Sequence, residues 1–413
     1  MDLDVLMIYI TLFISLYFEI FMLLTLFENH KEIKKKKKEK IDKSYEPTVS
    51  IIVPCWNEED TVAGTLKSLL HLDYPKDKLK IFVVNDGSTD NTVKEVEKFL
   101  PHPQITLISK KNGGKHTAMN EALKHINSEI VGSLDADSFV NHNALRYIVP
   151  HFKHSKVGAV TSAIKVLEDK NLWAQIQKNE FIISILVRKI FAFTGSIFIT
   201  PGPFSIMRTK IVKELGGWKN AHNTEDMEIG VRIQINNYII ENEERAKIYT
   251  KPLYTFKALY KQRLRWLYGF LMNSWDYRYI FFNKKYGNLG MFVLPYSMIA
   301  VISVVIIFIL LIWKLILSLY DFVEKIIVSG FKLSWPSWDV FFFETDAILW
   351  IILTIILLTL FFIRSSKKML NEEKIYTPDI LLYFIVYGLI SPTWLITAFF
   401  KAITGSKTKW EDN

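Results

Sequence analysis

Residues 5–27, VLMIYITLFISLYFEIFMLLTLF, form an apolar run long enough to cross a bilayer, interrupted only by Glu19. In hydrocarbon every backbone N–H and C=O must find a partner within the segment, so such a run reads as a helix. It lacks the short apolar core and small-residue cleavage site of a signal peptide. Three more apolar stretches lie near the C-terminus, at about 291–319, 346–363 and 380–400. Hydropathy thus divides the chain into a membrane segment (1–29), a basic linker (30–47), a soluble region and a C-terminal membrane region (290–413). Half of the 413 residues are hydrophobic and 14% are aromatic, which is rich for a soluble protein and fits this division.

The net charge of +9 is concentrated in HKEIKKKKKEKIDK (30–43). Beside a spanning helix, lysines set orientation and touch anionic lipid. The block therefore places residues 30 onward in the cytoplasm and MDLD outside, and nucleic acid is not expected as a partner. Basic residues also flank the later apolar stretches, at Lys284 and Lys285, RSSKK (364–368) and KAITGSKTK (401–409). Three full spans after a cytoplasmic domain would leave that last basic tail outside, against the charge rule. Pro392, within GLISPTW (388–394), offers a break, so the last stretch reads as either a span or a bent, re-entrant element. The single cysteine, Cys55, excludes an intramolecular disulfide and a cysteine metal site. It sits near the end of VSIIVPCWN, where a small buried residue is expected.

Between the membrane regions strands and helices alternate. TVSIIVPCW, LKIFVVN, ITLISK and EIVGSLDAD are apolar runs typical of strands buried on both faces. TVAGTLKSLLHL, NTVKEVEKFL (with Asn91 as N-cap) and GKHTAMNEALKHI show helical spacing between them. Repeated βα units imply an α/β fold with a doubly wound, mostly parallel sheet, in which ligands bind at the carboxyl ends of the strands. The polar clusters NEED, NDGSTD, NGGK and DAD fall at those ends.

Each cluster has a chemistry. In NDGS (85–88), Gly87 permits a tight turn and Asp86 can bond ring or sugar groups. In NGGKHTAMN (112–120), glycine amides, a helix start and Lys115 suit a phosphate, although a solvated loop has the same composition. In SLDADSF (133–139), strand alternation would put Asp135 and Asp137 on one side. Two close carboxylates repel unless a cation shares them, and oxygen ligands suit Mg2+ or Mn2+. In NTEDMEIGVRIQ (223–234), Thr224 is a good N-cap, with Glu225 and Asp226 in the first turn of a helix. The segments 171–193 and 255–275 are amphipathic at helical period; the second contains QRLRW (262–266).

In order and spacing, VPCWNEED, VVNDGSTDNT, NGGKHTAMNEAL, DAD, GPFSIMR, TED and QRLRW resemble the membrane-embedded, inverting glycosyltransferases of family 2. These include cellulose, chitin, hyaluronan and poly-N-acetylglucosamine synthases. The resemblance spans about 48–280 and extends to the flanking helices. It implies a GT-A type transferase domain over 48–253 and interfacial helices carrying the QxxRW motif over 254–289. It also implies roles. Pro54, Asn57 and Glu58 would hold the uridine and Asp86 the base; Lys115 and Asp135 would face the donor. Asp137 would bind Mg2+ or Mn2+. Asp226, with Glu225 beside it, would be the catalytic base. Phe204 in GPFSIMR would meet the acceptor, Gln262, Arg265 and Trp266 would complete the QxxRW site, and Arg263 would touch lipid headgroups.

The activity so implied is transfer from a UDP-sugar (UDP-N-acetylglucosamine or UDP-glucose) to a growing β-linked glycan acceptor at the cell membrane, with the catalytic domain cytoplasmic and the product translocated. No cyclic-dinucleotide-binding tail follows the last apolar stretch, so that mode of activation by this chain alone is not expected. With four apolar elements a channel within one chain is narrow, and a second copy or an accessory membrane subunit is the expected remedy. A non-processive transferase acting on a lipid or short glycan is the nearest alternative. A catalytically silent membrane scaffold is the other, disfavoured by the intact Asp137, Asp226 and Arg265.

Overall fold

The computed structural model describes residues 3–330, 347–370 and 377–405. Its strands are β1 (Val49–Cys55), β2 (Leu79–Asn85), β3 (Ile105–Ser109), β4 (Ile130–Ser133), β5 (Ser138–Val140), β6 (Val157–Val166), β7 (Ser205–Arg208) and β8 (Ile239–Thr250). They form one sheet in the order β3-β2-β1-β4-β7-β6-β8-β5. The first four are the strands expected from the sequence, and they pair in parallel. The other half is mixed: β7 runs antiparallel to β4 and to β6, β5 antiparallel to β8, and β6 parallel to β8. A turn, not a crossover helix, leaves β4, and parallel neighbours need a crossover.

Both sheet faces are covered. Ile52, Val84, Val131, Ala159, Met207 and Ile240 pack under helices Lys115–His125, Leu172–Phe193 and Glu225–Ile235. Ile51, Val53, Ile81, Val83, Val160 and Ile206 pack under helices Val62–Leu70 and Ala144–Ile148. Burial on two faces is why these strands are continuous apolar runs. Each Val, Ile or Met among these side chains contributes about 1.5–3 kcal/mol by leaving water, and a one-residue slip would reverse both faces, so the register is fixed.

Four helices are long and apolar enough to cross a membrane: Asp4–Glu28, Leu289–Val328, Ala347–Met369 and Tyr383–Thr404. The buried Glu19 of the first accepts a hydrogen bond from Thr359 of the third (2.7 Å). The third ends against the soluble domain, where Lys37 donates to Lys368 O and Lys247 to Leu370 O, both at 2.9 Å. The last apolar helix, Thr377–Thr404, stays helical across Pro392. It lies along helix Phe256–Asp276: Trp394, Leu395 and Ala398 pack on Leu264, Tyr268 and Leu271. Tyr260 Oη donates to Thr397 Oγ1 (2.7 Å), and Gly405 shares a cavity wall with His222 and Asp276 of the soluble domain. Lys407 and Lys409 of the basic tail, and Met1 and Asp2 at the start, lie outside the described residues.

Candidate active site

The carboxyl ends of β1, β2 and β4 gather the expected clusters. Pro54 is the next-to-last residue of β1, and Asn57 beyond the strand takes a left-handed φ of 55°. From there its side-chain oxygen accepts from the Thr89 N–H (2.9 Å), and its own N–H donates to Ser88 Oγ (3.0 Å), joining the first loop to NDGS. The Glu58 carboxylate accepts from the Thr61 hydroxyl. Burial pushes this carboxyl up to about 7; the Thr61 bond opposes the shift, and Asp137 and Asp135 reinforce it.

Asp86 is buried and fully engaged. It accepts from Lys110 Nζ (2.5 Å), the Gly113 N–H (3.1 Å) and the Gly114 N–H (2.8 Å). The glycine amides expected to approach a ligand are thus held by this carboxylate. The fold needs glycine at 87: φ is 76°, and a Cβ would stand 2.8 Å from the Asn112 backbone nitrogen.

Lys115 opens its helix behind Gly114. Its Nζ donates to Asp135 Oδ1 (2.5 Å) and stands 3.3 Å from Glu225 Oε1. Burial alone would lower its pKa, but Asp135 and Glu225 outweigh it and hold the ammonium charged, well above its ordinary value. Asp135 and Asp137 lie in the turn between β4 and β5, beyond the strand expected to carry them. β4 stops at Ser133, whose carbonyl accepts from the Phe204 N–H (2.7 Å) and whose hydroxyl donates to Gly202 O (3.0 Å). The Asp137 carboxyl is raised by burial and then by Asp135, and both effects favour a shared cation. The donor set is oxygen only, which fits Mg2+ or Mn2+ with positions left for phosphate oxygens. Among the described residues no group of three or more His, Cys, Asp or Glu completes a metal cluster.

Asp226 follows Glu225 at the start of helix Glu225–Ile235. Burial pushes its carboxyl up to about 6, Glu225 adds to this, and Lys115 and Arg265 oppose it. Its backbone carbonyl is held by the N–H (3.2 Å) and hydroxyl (2.7 Å) of Thr200. Just before the pair, Ala221, His222 and Asn223 all have positive φ. Left-handed backbone costs about 1–2 kcal/mol per non-glycine residue, so neighbours must hold it. Arg265 donates to Asn223 O (3.2 Å) from helix Phe256–Asp276, which carries the QxxRW residues.

Two expectations need correction. Phe204, expected beside the acceptor, has a fully buried ring inside the sheet core. Its φ of 56° marks the turn at which this loop re-enters the sheet as β7. The loop instead meets the site through Gly202, where a Cβ would stand 2.6 Å from Lys115 Nζ. Arg263, expected at lipid headgroups, is buried. It grips Glu180 with Nε (2.9 Å) and Nη2 (2.6 Å), and its Nη1 donates to Gln262 Oε1. Its position on the helix faces helix Leu172–Phe193, not lipid. Trp266 beside it is 37% exposed.

Sequence reasoning missed Lys110, although the lysine pair of KKNGGK stood beside the motif it serves. It also missed Gly269 and Asn273, which follow Arg265 at steps of four and so share its helix face.

A sheet whose strand ends gather a carboxylate pair, a charged lysine and a second acidic pair suits a transferase that handles a diphosphate. Residues 47–269 match the model described as Glycosyltransferase like family 2, and the chain belongs to that family. It is similar to the poly-β-1,6-N-acetyl-D-glucosamine synthase of Staphylococcus epidermidis, 28% identical over 372 residues, covering 87% of this chain and 84% of the relative. The synthase of the same name from Staphylococcus aureus strain MSSA476 is 30% identical over 224 residues, 54% of each chain. Among solved structures, the mannosyltransferase PcManGT from Pyrobaculum calidifontis, in complex with GDP-Man and Mn2+, shares the fold at a TM-score of 0.59 and 18% identity. That likeness covers 96% of this chain and 99% of the other.

Proposed function

We propose that this glycosyltransferase extends a β-linked polymer of N-acetylglucosamine from UDP-N-acetylglucosamine at the cytoplasmic face of the cell membrane and passes the product through its membrane helices. The observation that carries the reading is the position of Lys115. Its ammonium touches Asp135 (2.5 Å) on the donor side and Glu225 (3.3 Å) beside the base, so donor and acceptor chemistry share one cleft.

The reaction is a single displacement. An acceptor hydroxyl attacks the anomeric carbon as Asp226 takes its proton. The new glycosidic bond forms as the bond to the β-phosphate oxygen breaks, and the configuration inverts. Lys115 and Arg265 face the leaving diphosphate and offset its charge. Asp135 and Asp137 would hold a divalent cation, which when bound supplies further neutralisation of that diphosphate. The exposed ring of Trp266 offers the acceptor sugar a flat platform. No protein nucleophile is required.

The contacts of the last helix support one membrane arrangement. In its first half Tyr387 Oη donates to Glu180 (3.1 Å), and its end at Gly405 borders His222 and Asp276. Held to the catalytic domain in both halves, it lies along the membrane face while the other three cross. The basic tail then stays on the lysine-rich side, as the charge rule asks. Three crossing helices leave a narrow path for a polymer, so a second copy or an accessory subunit would complete it.

The test is turnover by the purified full chain in nanodiscs with Mg2+ or Mn2+. UDP should be released from UDP-N-acetylglucosamine, and Asp226→Asn should abolish release while donor binding persists. Release undiminished in that variant would remove Asp226 as the base.

A further inference from the structure

The turn ahead of the acidic pair is held from one face of a single helix. Ala221, His222 and Asn223 have φ of 47°, 56° and 63°, and none is glycine. Arg265 Nη1 donates to Asn223 O (3.2 Å). One helical turn on, Gly269 leaves no room: a Cβ there would stand 2.3 Å from Thr224 Oγ1 and 2.4 Å from Thr224 Cγ2. Another turn on, Asn273 is 1% exposed. Its side-chain amide donates to Ala221 O (3.1 Å) and Thr224 Oγ1 (2.8 Å), and also reaches Gly269 O of its own helix (2.9 Å). Thr224 occupies the N-cap position but makes no capping bond. Its hydroxyl donates back to Ala221 O (2.8 Å), which leaves its lone pairs for Asn273. At the exposed edge, His222 Nε2 stands 2.9 Å from Asp276 Oδ2.

We propose that Asn273 is a positioning residue for the transfer step. Its amide locks the left-handed turn, and the turn sets where Asp226 meets the acceptor hydroxyl. The inference rests on the reading of Asp226 as the base. The chemistry asks for an amide: the site needs N–H donors toward a carbonyl and a hydroxyl, and a carboxylate at 273 would face the Ala221 carbonyl with like charge. Without the amide, the Thr224–Ala221 bond remains and the turn survives in looser form. The expected loss is therefore in catalytic geometry, to which transfer is steeply sensitive.

The experiment is steady-state UDP release by the full chain in nanodiscs, with the donor KM and kcat resolved. In Asn273→Ala, kcat should fall by roughly 10–100-fold, with the donor KM unchanged within about twofold. Adding Ala221→Gly to that variant should restore much of kcat, because glycine takes positive φ without steric cost. A residue acting only on overall stability would not give this split or this recovery. Wild-type kcat in Asn273→Ala, or a loss that Ala221→Gly leaves untouched, would overturn the proposal. If Asn273→Ala does not fold, Asn273→Ser with and without Ala221→Gly makes the same comparison. Asp226→Asn is measured alongside. Turnover in that variant would overturn the base reading and this proposal with it, whereas an inactive Asp226→Asn beside a fully active Asn273→Ala would overturn this proposal alone.

Discussion

The guanidinium of Arg263 lies 4.3 Å from the centre of the Trp266 ring. The same group is gripped by Glu180, which also accepts from Tyr387 Oη (3.1 Å). One carboxylate therefore ties helix Leu172–Phe193, the QxxRW helix and the last apolar helix together beneath the tryptophan. Lysine cannot reproduce a planar, bidentate and stacked contact. Arg263→Lys should loosen Trp266 and shorten the product, with UDP release falling less than product length. Gel sizing beside a UDP assay checks this; full-length product would refute it.

The Asp226 carboxyl is pushed up to about 6. A base works only when deprotonated, so kcat should rise from about pH 5 to about pH 7 on one ionisation near 6. Burial is the largest cause and Glu225 the next, so Glu225→Gln should move that midpoint down. A flat profile over this range would contradict the assignment.

Asp137 carries a carboxyl raised by burial and by Asp135. Asp137→Ala should weaken Mn2+-dependent donor binding by about tenfold or more and leave the fold intact, because a paired carboxylate is costly without its cation. Titration of donor with and without EDTA measures it. Donor affinity indifferent to EDTA would remove the cation role.

The last apolar helix gives a topology test. Cys55 is buried and is the only cysteine, so a thiol introduced elsewhere reports alone. Gly405→Cys should react with an impermeant maleimide only from the catalytic-domain side, and Val328→Cys, 80% exposed at the far end of its helix, only from the opposite side. Labelling of both from one side would mean that the last helix crosses.

The parallel half of the sheet was legible because its strands are buried on both faces and carry the apolar runs such burial demands. β8 was not. Its IIENEERAKIYT buries Asn242, Glu243 and Glu244, and these look like loop residues until their partners are known. Glu244 meets Lys189 at 2.7 Å and Glu243 meets Arg245 at 2.8 Å, the first of these across a long separation that no local pattern reveals. In the candidate site, Lys115, Asp135 and Glu225, each within a compact motif, are expected residues that the fold brings into contact. Phe204 was misplaced because backbone φ decides its direction, and composition says nothing of φ at a non-glycine residue. Arg263 was misplaced because its partner Glu180 lies 83 positions earlier in the chain.

Processive transfer is expected from one nucleotide sugar alone. The most direct measurement supplies UDP-N-acetylglucosamine, UDP-glucose, UDP-glucuronate and UDP-galactose separately to the purified chain and sizes the product. UDP release with UDP-N-acetylglucosamine and a long polymer are predicted. Release that yields only short or lipid-linked products, or that needs a different donor, would contradict the account.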